Sequence, residues 1–221
     1  MVARSTAPEP RRIDYDGLSY RWSDYDVPLW IRANSSALRW NRARQDATQY
    51  LSLTTDGSWA ELIRTERLLS ISDLRLVSMP MWILQVRETN LADYSTFEKA
   101  QAAGFPPEAL VSDDYERCQA EADRLRAAAF RGVLAPSAAL PNSVNLTLFG
   151  RRLAVAWDHP EASLMASFVR AKRLAVGRPP DELLPSVRHR GEPHPALVEH
   201  MAKQTPRRLR EGRLPGSDPH D

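Results

Sequence analysis

The chain has a single cysteine, Cys118, in 221 residues, which excludes an intramolecular disulfide and any cysteine-based metal cluster. An excess of one charge is also missing. Thirty basic and 28 acidic residues leave a formal net charge of +2, so no global field argues for a nucleic-acid or membrane partner. No apolar run approaches the roughly 18 residues of a membrane-spanning helix. The N-terminal residues are rich in proline and charge and lack the apolar core of a secretion signal, so the expected location is cytoplasmic. The five histidines, His159, His189, His194, His200 and His220, are too scattered for a convincing zinc site.

Apolar content is sufficient for a core: 43% of the residues are hydrophobic and six are tryptophans, which suits one domain of substantial size with a tail. Residues 48–53 have the β-branched and aromatic content of a short strand, and Thr54 to Gly57 are turn formers. A helix is expected next, with Ser58 as N-cap and Glu61 three residues later. Residues 74–86 alternate like a strand interrupted by Pro80. A short helix over 96–103 ends at Gly104, and a stronger one over 114–130, capped by Asp113 or Asp114, places Cys118 as an inert packed thiol. Residues 133–135, 145–149 and 153–157 read as strands, and 161–176 as a helix with Leu164, Phe168 and Leu174 on its apolar face. Helices and strands without a regular βαβ rhythm favour an α+β fold. The division is a disordered segment over 1–14, a domain over 15–176, and a largely disordered tail rich in proline and charge over 177–221. The basic run around 207–213 belongs to that solvated tail.

Several polar residues admit two readings. Glu61 is either the acid of a capping box or a carboxylate free for chemistry. Tyr50 is either half core or part of a site, and Arg39 either a solvated charge or an anion ligand. Ser137 follows Pro136, where serine most often closes a turn. Serine-nucleophile chemistry has little support because the histidines that would serve as its base lie beyond residue 149.

The order of these residues resembles the RES domain, a family of NAD-consuming toxins from bacterial toxin–antitoxin pairs. The resemblance runs over residues 18–149. It is carried by Tyr20-Arg21, Arg39-Trp40-Asn41, Tyr50-Leu51-Ser52, Ala60-Glu61, Gly132-Val133 with Pro136-Ser137, and Asn145-Leu146-Thr147-Leu148-Phe149. Two departures stand out. Ala37 and Leu38 occupy positions where the family commonly has two glycines, which restricts close backbone approach to a phosphate. Trp22 stands where some members carry tyrosine.

The resemblance implies a compact fold similar to that of ADP-ribosylating toxins and a site built on catalytic Glu61, Arg21 and Ser137, with Arg39, Tyr50, Asn41 and Trp22 binding substrate. NAD+ would be the substrate and inorganic phosphate a co-substrate, with no separate cofactor and no metal. An ionised Glu61 near the ribose would offset the charge of an oxocarbenium-like transition state. Arg21 and Arg39 would bind pyrophosphate oxygens, Tyr50 would stack on or hydrogen-bond to nicotinamide, and Ser137 would orient ribose or phosphate. The implied partners are a cognate antitoxin and further copies of the chain. Three functions are open: cleavage of NAD+ by phosphate or water, ADP-ribosyl transfer to a protein, and a non-catalytic interaction module suggested by Ala37-Leu38.

Overall fold

The longest strand, β3 (Met79–Asp93), organises the sheet because it is paired along both edges. The computed structural model describes residues 8–159 and 168–204. On one edge β3 runs antiparallel to β1 (Arg12–Trp22), with Arg12 opposite Ala92 and Trp22 opposite Met81. On the other, its first half pairs antiparallel with β7 (Phe168–Gly177), and Leu91, Ala92 and Asp93 pair in parallel with β4 (Gly132–Pro136). The sheet continues antiparallel from β4 through β5 (Val144–Phe149) to β2 (Thr48–Ser52). The pair Tyr20–Ser52 then returns it to β1. Five strands therefore close into a ring, and β7 with its parallel neighbour β6 (Leu153–Ala156) extends from β3 as a wing.

Burial drives the helices onto this sheet. One cluster joins the ring strands through Leu84, Val86, Leu91, Leu134, Leu146 and Leu148. A second lies under α1 (Thr55–Glu66) and α2 (Ile71–Leu76), where Trp59, Leu62, Ile63 and Leu74 meet Leu183 and Val187. A third packs α3 (Phe97–Ala102), α4 (Pro107–Val111) and α5 (Glu116–Ala127) on β4 through Phe97, Leu110, Cys118, Leu125 and Val133. Burial pushes the Cys118 thiol up to about 11, so it remains protonated near neutral pH. The α+β class holds, with all connections between neighbouring ring strands antiparallel except β3–β4.

Several local expectations are corrected. The helix carrying Glu61 starts three residues before Ser58, because the Thr54 side chain accepts from the Gly57 N–H at 3.0 Å and caps it. Gly57 permits that turn: a Cβ there would meet Ser143 Oγ at 2.9 Å. Residues 74–76 of the expected strand belong instead to the helix Ile71–Leu76, since Ser70 and Asp73 form a capping box that overrides the alternating pattern. Of the two expected caps of α5, Asp114 is the one that bonds to it: its Oδ1 accepts from Glu116 N at 3.0 Å, across Tyr115, which stands at the N-cap position without a side-chain bond.

The termini differ most from expectation. Order begins well before residue 15, because Arg12 and Ile13 pair with β3. Residues 168–177 form β7 rather than a helix: Val169 and Ala171 alternate inward while β3 and β6 take the backbone bonds. The rest of that expected helix lies outside the described residues. The segment after Gly177 is ordered to Gln204. It forms a 3-10 helix, Asp181–Ser186, and α6, Pro195–Gln204, which bury Leu183, Val187, His194 and His200. His200 Nδ1 donates to Glu98 Oε1 at 2.8 Å, which ties α6 to α3. The basic run around 207–213 lies outside the described residues.

Candidate active site

A cavity of about 880 Å³ opens beside the seam where β1 meets β2, lined by Arg21, Trp22, Trp30, Arg39, Tyr50, Ser52, Glu61, Arg64 and Asn145. Its long wall is the loop from Ser23 to Leu38, which side-chain amides pin in place. The buried Gln49 accepts from Trp30 N at 2.8 Å and donates back to Trp30 O at 2.8 Å. Asn34 does the same for Thr48, accepting from its N–H at 2.6 Å and donating to its carbonyl at 3.2 Å. These amides replace backbone pairing that an irregular loop cannot make for itself.

Glu61 projects from α1 toward β5. Its Oε1 accepts from Ser137 Oγ at 2.8 Å and from Asn145 Nδ2 at 2.6 Å, and Glu61 makes no ion pair among the described residues. The capping-box reading is therefore excluded, and the carboxylate is fixed by two neutral donors in the cavity wall. Asn145 is itself oriented by Ser52 Oγ, which donates to its Oδ1 at 2.9 Å. Asn145 and Ser52 stand within quoted motifs but carried no assigned role; only the long-range contact reveals it. Their positions opposite each other on β2 and β5 follow from the register.

Arg21 supplies the opposite charge. Its Nη1 is buried without a hydrogen-bond partner among the described residues, and its guanidinium carbon lies 4.9 Å from the Trp30 ring centroid. Burial pulls this guanidinium down to about 10, still fully charged at neutral pH. Arg39 lies over the Tyr115 ring, 4.8 Å from its centroid, and donates to Ala109 O at 3.3 Å. Arg190 Nη2 donates to the Tyr115 hydroxyl at 3.3 Å, so two arginines flank one cavity-lining tyrosine. Arg64 is instead committed to Asp113.

Two of the expected site residues, Ser137 and Asn41, do not line the cavity, and a third, Tyr50, lines it with its hydroxyl already bonded. Ser137 is fully buried behind Glu61: its hydroxyl donates to the carboxylate and accepts from Ala139 N and Leu140 N at 3.1 Å each. It is not part of the cavity lining, so it orients Glu61 rather than ribose or phosphate. Asn41 is 1% exposed, donates to Ser36 O and Arg42 O, and accepts from Tyr50 OH at 2.8 Å. It shapes the Arg39–Trp40 turn and likewise lines no part of the cavity. Tyr50 lines it, but its hydroxyl is engaged by Asn41 and by Trp40 N at 2.9 Å, which leaves ring contact as its means of touching a ligand. Trp22 lines the cavity, and its backbone N–H donates to Ser58 Oγ at 3.1 Å, tying β1 to α1.

The Ala37-Leu38 departure costs no backbone strain. Neither residue has positive φ, and Leu38 and Asn41 exchange two backbone bonds of 3.1 and 3.4 Å across the turn that presents Arg39.

The family model for the RES domain matches residues 9–176. The chain belongs to the RES-domain family. That match is wider than the motif-bearing stretch and takes in β1, β6 and nearly all of β7. A comparison by sequence with curated proteins finds no match. Among solved structures, this RES domain is similar to a chain of the M. tuberculosis MbcT–MbcA toxin–antitoxin complex, with a TM-score of 0.58 and 18% identity over 80% of this chain and 91% of that one. At that identity the likeness is one of fold. Among the described residues no helix is long and apolar enough to cross a membrane, and no group of three or more His, Cys, Asp or Glu is placed to hold a metal ion.

Proposed function

We propose that this RES domain is the toxin of a toxin–antitoxin pair and cleaves the nicotinamide–ribose bond of NAD+. The observation that carries this reading is the presence in one cavity of an oriented, unneutralised Glu61 and of Arg21, whose buried Nη1 has no hydrogen-bond partner among the described residues. An ionised carboxylate suits developing positive charge on a sugar, and a desolvated guanidinium suits a phosphate. NAD+ carries both groups.

In the step, the bond between the ribose anomeric carbon and the nicotinamide nitrogen breaks, and its electron pair neutralises the pyridinium ring. Glu61 faces the cation left on the ribose. An oxygen of phosphate or water forms the new bond, giving ADP-ribose phosphate or ADP-ribose; water gives up a proton in doing so. Ser137 and Asn145 hold the carboxylate during the step, Arg21 and Arg39 hold the phosphates, and Tyr50 and the tryptophans supply apolar and aromatic surface for the nicotinamide.

The test is incubation of the purified protein with NAD+ with and without inorganic phosphate, following nicotinamide and the ribose product. Phosphate-dependent release identifies a phosphorylase, and phosphate-independent release a glycohydrolase. Glu61→Gln should lower the rate by about 10²–10³-fold, the usual cost of removing a group that stabilises transition-state charge. An unchanged rate rules the assignment out. The similar fold in a toxin–antitoxin complex supports an antitoxin as the partner. Co-expression with a neighbouring small gene product that abolishes NAD+ loss would establish it.

A further inference from the structure

The RES match ends at residue 176, yet the chain beyond it is built into the wall behind Glu61. The turn from Ser137 to Leu140 holds the carboxylate through the Ser137 hydroxyl. Its N–H side is fixed locally, since Ser137 N donates to Ser143 O at 2.9 Å. Its carbonyl side is fixed by the C-terminal segment. Arg188 N donates to Ala139 O at 2.8 Å, and His194 Nε2 lies 3.0 Å from Ser137 O.

The tautomer of His194 follows from its second contact. Leu197 N donates to His194 Nδ1 at 3.3 Å, so Nδ1 is the acceptor and Nε2 carries the proton donated to Ser137 O. His194 therefore does two things: it caps the start of α6 just before Pro195, and it clamps the residue that orients Glu61. It is 3% exposed and lies 57 positions from Ser137 in the sequence.

We propose that His194 is a positioning residue for the active site, acting on Glu61 through the Ser137 carbonyl and hydroxyl, and that the segment after the RES match is thereby a working part of the catalytic apparatus. The proposal deepens the NAD+-cleavage reading and rests on it for its kinetic arm. Moving Ser137 by a fraction of an ångström carries its hydroxyl, and with it the Glu61 oxygen, away from the ribose. Substrate phosphates, held by Arg21 and Arg39 elsewhere in the cavity, are unaffected.

Two substitutions separate the functions of His194. His194→Asn keeps an acceptor for Leu197 N, because asparagine is a favourable N-cap, but is too short to reach Ser137 O. His194→Gln can donate to Ser137 O. Each is compared with wild type in NAD+ turnover and in the side-chain amide signal of Asn145, which donates to Glu61 and reports its position without substrate. The signal is identified by its loss in Asn145→Ala.

His194→Asn should lower kcat by about ten- to a hundredfold, the scale on which small misplacements act, with KM within about twofold of wild type, and should shift the Asn145 signal. His194→Gln should restore both. The proposal is overturned if His194→Asn matches wild type in both readouts, or if His194→Gln is as impaired as His194→Asn. If the wild type does not consume NAD+, the functional reading fails by itself. The Asn145 signal then decides the positioning: a shift in His194→Asn reversed in His194→Gln supports it, and no shift overturns it.

Discussion

Asn145 donates from Nδ2 to Glu61 Oε1 at 2.6 Å, joining β5 to α1 across 84 positions of sequence. The bond makes the state of one side chain depend on the other. Asn145→Asp replaces a neutral donor by a second carboxyl at hydrogen-bond distance, and two such carboxyls cannot both ionise at low cost. One proton is then shared, and the form with Glu61 fully charged needs a higher pH. The acid limb of the rate profile should move upward by about one pH unit or more, read from initial rates of NAD+ loss between pH 5 and 9. An acid limb left where the wild type has it would mean that Glu61 ionisation does not govern the rate.

Arg21 should show opposite effects on binding and stability. Arg21→Met removes a guanidinium whose buried Nη1 has no hydrogen-bond partner among the described residues. It should raise stability of the ligand-free protein by about 1 kcal/mol while raising KM about ten- to a hundredfold, the value of one or two charge-assisted bonds. Denaturant unfolding and steady-state kinetics on the same preparation check both signs.

Tyr50 should behave in the reverse sense. Its hydroxyl accepts from the buried Trp40 N–H and donates to Asn41. Tyr50→Phe leaves both without that partner and should cost about 1–3 kcal/mol of stability. Ring contact with ligand survives, so kcat should change by less than about threefold at temperatures where the variant is folded.

His194 gives stability a dependence on pH. Burial holds its pKa below the ordinary 6.5, with Arg188, Arg39 and Arg64 acting in the same direction and the Ser137 carbonyl opposing them. The unfolded chain therefore takes up a proton at higher pH than the folded one. Stability is retained above about pH 6.5 and lost as pH falls below it toward the folded pKa, with a slope of at most about 1.4 kcal/mol per pH unit for one proton. Asp93, Asp113 and Asp123 also have lowered values, but their losses begin lower, in the carboxylate range. Urea midpoints between pH 7.5 and 5 should fall in wild type and flatten in His194→Gln.

What could be read from the sequence follows the range of the interactions involved. Strands 48–53 and 145–149 and the helix over 96–103 were legible because propensity, alternation and a cap all lie within a few residues. The motif order located Glu61, Arg21 and Arg39. It could not show that Ser137 points behind Glu61, or that Asn145 completes its support, because both bonds join residues more than 70 positions apart. β1 did carry a signal: Ile13 and Tyr15 alternate with Arg12, Asp14 and Asp16, a half-buried edge pattern masked by its charge. The order of the C-terminal segment derives from a few anchors, Leu183, Val187, Arg188 and His194, amid proline and charge. Composition averages over such anchors.

The ring of strands closes through one residue pair, Tyr20 with Ser52. Ser52 is also the first link of the Ser52–Asn145–Glu61 chain, and Arg21 follows Tyr20. A closure with so few backbone bonds is where the native sheet should fray first, at a free energy well below global unfolding. Amide hydrogen exchange at Ser52 and its neighbours would therefore measure how often the catalytic geometry comes apart. A molecule that held this seam open would part the Ser52–Asn145–Glu61 chain from Arg21 without touching either charged group.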